Sequence, residues 1–236
     1  MFPKAVLAAL LWAVVSGQSK PRPCCTDHQF EMTLGEVAGS FFSSNGLPSS
    51  SILTGDNTLH FDEYRKKAVV VSRLVDLKGN RIEVNVFIDF NTNKQFVQFA
   101  NGSCVSIPAY QILRSPCVPA NATFVGSSDF GYGPNMVEVN NFQVTFPPGD
   151  TTLRIAVTKY GCIPMVESFY GHKIPQPDGK LAAIDLVFLI TNFKPGLSQP
   201  ALFDIFPTNC QGASSDEAIP EHTRRAIHAF NLMYAN

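Results

Sequence analysis

Cysteine is the residue type with the clearest chemistry in this 236-residue chain: Cys24, Cys25, Cys104, Cys117, Cys162 and Cys210. Cysteines ligate metals or, when oxidised, cross-link a chain. No C-x2-C pair and no histidine pair at finger spacing is present, which argues against zinc. An even count in an oxidising compartment favours three disulfides, and spacing alone does not fix their partners. Met1–Gly17 supplies the compartment. It carries one charge, Lys4, then an apolar run from Ala5 to Val15 too short to span a bilayer, then small residues suited to cleavage. The mature chain, residues 18–236, reads as a single domain secreted to the outside of the cell. No later apolar run suggests a transmembrane anchor.

Two N-x-[ST] sequons, at Asn101 and Asn121, are candidate glycan acceptors in such a chain. The five histidines are scattered, and no zinc-protease motif, nucleophile elbow, phosphate loop or dinucleotide fingerprint occurs. Asp89-Phe90-Asn91-Thr92-Asn93 opens like a calcium loop. Lys94 stands where that loop needs glycine and Ala100 where it needs glutamate, so a hairpin turn is the better reading. Asp56, Asp62, Glu63 and Asp89 leave a weak Ca2+ site conceivable, and no other cofactor is expected. A net charge of −1 lacks the basic footprint of a nucleic-acid binder. The chain therefore reads as a non-enzymatic binding protein.

The elements that would position any site are mostly strands. Arg81 to Phe90 alternates, with Ile82, Val84, Val86, Ile88 and Phe90 on one face. Lys78-Gly79-Asn80 before it is turn chemistry, and Ala68 to Leu77 completes a hairpin. Phe142, Val144 and Phe146 alternate with polar residues, as do Leu153, Ile155 and Val157. Leu181 to Phe193 is apolar on both faces, as a doubly covered strand would be. Shorter strand candidates are Phe30–Leu34, Leu59–Tyr64, Gln95–Phe99 and Ala201–Phe206. Stretches rich in Gly, Ser or Pro (43–51, 127–134 and 195–200) read as breaks. A capped, amphipathic stripe predicts one helix over about 216–234. The fold class is mostly β and antiparallel, with that helix at the end. Nineteen phenylalanines against one tryptophan favour dry interiors.

Several segments in order resemble the ependymin family of secreted glycoproteins: Pro23-Cys24, Asn101-Gly102-Ser103-Cys104, Pro119-Ala120-Asn121-Ala122-Thr123-Phe124, Gly161-Cys162-Ile163-Pro164-Met165-Val166, and Pro207-Thr208-Asn209-Cys210. Phe206-Pro207 departs from the family's double proline, and Cys25 and Cys117 lack counterparts. The resemblance implies the bridges Cys24–Cys162 and Cys104–Cys210, which leaves Cys25 with Cys117. The adjacent Cys24 and Cys25 could exchange roles. It further implies two curved antiparallel sheets, similar to bacterial lipoprotein-carrier domains, around an apolar pocket, and a homodimer. On that implication Val84, Val86, Ile88, Phe90, Phe142, Val144, Phe146, Ile155 and Val157 are candidate lining for a hydrophobic small molecule or lipid. The competing expectation is a calcium-associated matrix or adhesion glycoprotein, such as a component of a mineralised organic matrix, with extracellular matrix components as partners and no small ligand. A dispersed hydrolase would need a buried histidine beside a carboxylate and a hydroxyl.

Overall fold

A computed structural model describes residues 20–44, 47–76, 78–109, 115–146, 151–175 and 181–212. The leader and the expected helix over 216–234 lie outside the described residues. The described residues form twelve strands: β1 (Gln29–Ser44), β2 (Leu47–Asp62), β3 (Lys67–Asp76), β4 (Arg81–Asp89), β5 (Lys94–Phe99), β6 (Cys104–Pro108), β7 (Thr123–Phe130), β8 (Val137–Phe146), β9 (Thr151–Thr158), β10 (Pro164–Pro175), β11 (Leu181–Pro195) and β12 (Gln211–Gly212). Period-two alternation sets their faces. In β4, Ile82, Val84, Val86 and Ile88 are buried while Arg81 and Glu83 face water.

The expectation of two sheets is corrected to one. The order is β12-β6-β5-β4-β3-β2-β1-β11-β10-β9-β8-β7. Strands β1–β6 form one meander and β7–β11 a second. The long strands β1 and β11 then pair antiparallel from Phe30↔Pro195 to Phe41↔Ala183, so hydrogen bonds close what would have been two free edges. All pairings are antiparallel except the short β12 beside β6. Two local readings also change. Ser43–Ser51 does not break the chain for long, because β1 and β2 stay in register from Gln29↔Asp62 to Ser44↔Leu47. Cross-strand pairing there overrides the weak β preference of serine and glycine. The stretch 127–134 likewise begins inside β7, which runs to Phe130. Ala201–Phe206 is not a strand: a 3-10 turn, Pro200–Phe203, opens at a proline that has no N–H to give a sheet.

The first meander buries one face and part of the other. On one face Phe30, Met32, Leu34, Leu59, Phe61, Val70, Leu74, Val84, Val86, Ile88 and Val97 form a cluster that takes in Phe188 and Ile190 of β11. We term this the apolar face. Gly55 allows β2 and β3 to close on each other there, since a Cβ would stand 2.2 Å from the Arg73 carbonyl oxygen. The opposite face carries Val69 and Phe87 beneath a strap, residues 196–206, which contributes Phe203, Leu197 and Phe206. Lys67 donates to the Phe203 carbonyl at 3.1 Å and lies 4.4 Å from the centre of the Phe206 ring. Beyond the strap, Cys210 is bonded to Cys104 on β6.

The second meander has a smaller cluster, Phe142, Val157, Val118 and Cys162, with Ile155 and Phe124 against it. Two bridges staple this region. Cys24–Cys162 ties the N-terminal segment to the β9–β10 turn, and Cys25–Cys117 ties it to the link between the meanders. Backbone bonds reinforce that tie: Val118 donates to the Cys24 carbonyl at 2.8 Å, and Thr26 to that of Pro116 at 2.9 Å.

Candidate functional site

Register continues the apolar face across the join between meanders. Leu34 stands opposite Ile190, and Phe188 of β11 stands opposite Glu167 of β10. Glu167 pairs in turn with Ile155 of β9, Ile155 with Phe142 of β8, and Phe142 with Phe124 of β7. Antiparallel partners share a face, so Glu167 lies between Phe188 of the large cluster and Ile155 beside the small one. Phe188 and Phe142 are fully buried. Leu153, Ile155 and Glu167 are half-buried, which makes this seam the accessible part of the face.

A β-bulge directs Glu167 inward. Pro164 pairs with Val157, but the next residue of β9, Ala156, pairs with Val166, leaving Met165 as the extra residue. Were pairing regular onward from Pro164↔Val157, Met165 would meet Ala156, and Val166 would take the apolar face and Glu167 the other side. Burial among these side chains pushes the carboxyl up to about 7. A carboxyl set among apolar side chains on a half-buried seam accounts for both the partial exposure and this shift. Sequence reasoning missed Glu167, because nothing in Pro164-Met165-Val166-Glu167 marks the bulge.

The candidate lining residues share this apolar face but belong to different parts of it. Val84, Val86 and Ile88 are buried in the large cluster and Phe90 packs on its margin. Phe142 and Val157 form the small cluster with Ile155 against it, and Val144 is buried on the same strand. Phe146 ends β8, and its side chain lies outside the described residues. Asn101 and Asn121 are both exposed. The Asn101 side-chain oxygen accepts from the amide and hydroxyl of Ser103, an Asx turn within the sequon. The candidate calcium acids are dispersed. Asp62 is fully buried and bonded to Gln29 and to the Arg65 amide. Glu63 pairs with His28, and Asp89 caps the turn through Asn91 and Thr92. Among the described residues, no three of His, Cys, Asp or Glu assemble to hold a metal.

A buried histidine does meet a carboxylate and a hydroxyl, on the strap side. His60 Nδ1 lies 3.1 Å from Glu31 Oε1. The Ser198 hydroxyl donates to both Glu31 oxygens, at 2.8 and 2.7 Å, and its amide donates at 2.8 Å. Burial works to raise the Glu31 carboxyl, but the Ser198 bonds and His60 outweigh it and hold the carboxyl below its usual range. The order is wrong for nucleophilic catalysis. An activated serine gives its proton to the imidazole, whereas here the carboxylate stands between the two and takes the serine hydrogen bond itself. The cluster latches the strap to β1.

Together these features define a disulfide-stapled, antiparallel β protein with one extended apolar face. The ependymin family model matches residues 78–210, more than half of the chain, and the chain belongs to the ependymin family. The crystal structure of a DUF1329 family protein from Desulfovibrio piger is similar at 13% identity, covering 84% of this chain and 94% of that one with a TM-score of 0.32. MucB in complex with MucA is similar at 12% identity, covering 72% and 94%, with a TM-score of 0.15. No protein with a curated description matches the sequence. No described helix is long and apolar enough to cross a membrane.

Proposed function

We propose that this protein is a secreted, non-enzymatic glycoprotein that binds a hydrophobic, lipid-like ligand against the seam of its apolar face. The observation that supports this is the run Phe188–Glu167–Ile155–Phe142 with Leu153 beside it, apolar apart from one acid and partly open to water. Apolar recesses with few polar groups are the ordinary form of small-molecule sites. Three disulfides fit the oxidising route to the cell exterior, and the exposed Asn101 and Asn121 would carry the glycans. The test is native mass spectrometry of the purified, oxidised protein, followed by solvent extraction of whatever is bound. A lipid-sized mass that leaves with organic solvent and is reduced in Leu153→Lys supports the reading. A ligand-free protein that also takes up no added lipid refutes it.

A further inference from the structure

We propose that Glu167 is the head-group site of this recess and that its ligand is an apolar molecule carrying an amine. This rests on the ligand-binding reading above and specifies its chemistry. The bulge at Met165 is the main support. Regular pairing onward from Pro164↔Val157, with Met165 inside the ladder, would bring a valine to the apolar face and turn the acid away, which is the arrangement that favours stability. The bulge instead leaves Met165 out of the ladder and sets a carboxyl between Phe188 and Ile155. Bulges that re-aim a side chain in this way are concentrated beside binding and active sites.

The surroundings select the charge of the partner. On β9 the residues sharing this face, Leu153, Ile155 and Val157, cannot titrate, and on β11 neither Phe188 nor Ile190 can. Arg154 of β9 has the opposite parity and donates to Gln143 at 3.0 Å. Further out, Glu138 on β8 is exposed and paired with Lys159 at 2.8 Å, and Glu36 holds the register position across Phe188. Among the described residues no cation answers Glu167. A ligand ammonium would supply one, and the apolar walls around it strengthen the pair. A fatty acid would set two carboxyl groups against each other, and a plain hydrocarbon would cover the acid without satisfying it.

The experiment titrates the full-length oxidised protein with dodecylamine, dodecanol and dodecanoic acid, each below its micelle concentration, by calorimetry at pH 5.5, 7.0 and 8.5. Dodecylamine is expected to bind on the order of tenfold tighter or more at pH 8.5 than at 5.5, following the ionised fraction of a carboxyl that titrates near 7. Binding at pH 6 is expected to release close to one proton. In Glu167→Gln both the pH step and the proton release vanish. Equal pH steps in the two proteins, or a preference for dodecanoic acid that grows at low pH, overturn the amine assignment and leave the ligand reading standing. Failure of all three probes to bind overturns both.

Discussion

The two meanders solve the same problem with different means. The first, β1–β6, buries one face and part of the other: the apolar face holds the large cluster, and the strap covers Val69 and Phe87 on the opposite side. The second, β7–β11, has the small cluster around Phe142 and is stapled by two of the three disulfides. Where apolar area is plentiful, hydrophobic burial can hold strands together. Where it is scarce, restricting the unfolded chain takes over that task. The lean half is also the half that leaves Leu153, Ile155 and Glu167 within reach of water. Thin packing and ligand access therefore coincide, and the disulfides make the combination stable.

If that division holds, the largest effect belongs to the bridge Cys24–Cys162. It spans 138 residues, so replacing both cysteines with serine should cost about 4–5 kcal/mol in the chain-entropy model, read by urea denaturation. A loss under about 1 kcal/mol would break the comparison. Next comes Phe142→Ala. The ring is fully buried in a small cluster and packs edge-on against Phe124 at 5.9 Å, so about 3–5 kcal/mol is expected. Phe203→Ala in the strap should cost less, about 2–3 kcal/mol, because a covering segment can settle into the space more easily than a strand. Hydrogen exchange separates the two variants: Phe203→Ala should loosen residues 196–206 alone, whereas Phe142→Ala should loosen β8 and β9.

The contrast between the halves also explains what could be read from residues alone. β4 was legible because Ile82, Val84, Val86 and Ile88 alternate without interruption and the turn 78–80 precedes them. β11 was legible because it is apolar on both sides. The joining of β1 to β11 was not, since no local pattern encodes which distant edge a strand will meet. The strap was misread as strand over 201–206 because Ala201, Phe203 and Ile205 are apolar at period two, whereas Phe203 sits in a 3-10 turn and plugs the face from outside. The nine candidate lining residues join the pocket implied by the family resemblance to alternation, which finds a face but not which part of it stays open. Glu167 was invisible because a one-residue bulge reverses alternation and leaves no trace in composition.

A smaller effect is expected at Glu167, and its sign opposes acid denaturation. Burial lifts the folded carboxyl from 4.5 to about 7. Between those values the unfolded chain has lost its proton while the folded one keeps it, so the group lowers stability as pH rises through that window and the penalty levels off above 7. Glu167→Gln should therefore stabilise the ligand-free protein at pH 8 by about 1–3 kcal/mol, with the partial access of water keeping the gain modest, and change nothing at pH 4. A variant no more stable at pH 8 would show that the carboxyl is solvated and the seam open, which would weaken the contrast in packing between the halves.

The smallest effect concerns the latch on the strap, and its pH dependence runs the other way. Glu31 is held below 4.5 by the Ser198 hydroxyl and amide and by His60, against the pull of burial. A depressed carboxyl contributes stability that is present above 4.5 and is lost as pH falls through its folded value. Ser198→Ala removes the hydroxyl bonds and keeps the amide bond, so a loss of about 1–2 kcal/mol is expected at pH 6, shrinking toward pH 3 as Glu31 takes up its proton in both proteins. The loss should be local. The Gly196 amide, which donates to the Gln29 carbonyl at 2.7 Å, and its neighbours in the strap should exchange faster, while β4 and β5 keep their protection. Faster exchange throughout β1–β6 would mean instead that the strap is part of the first meander's cooperative core. The division between a half held by burial and a half held by bridges would then have to be redrawn with the strap on the side of burial.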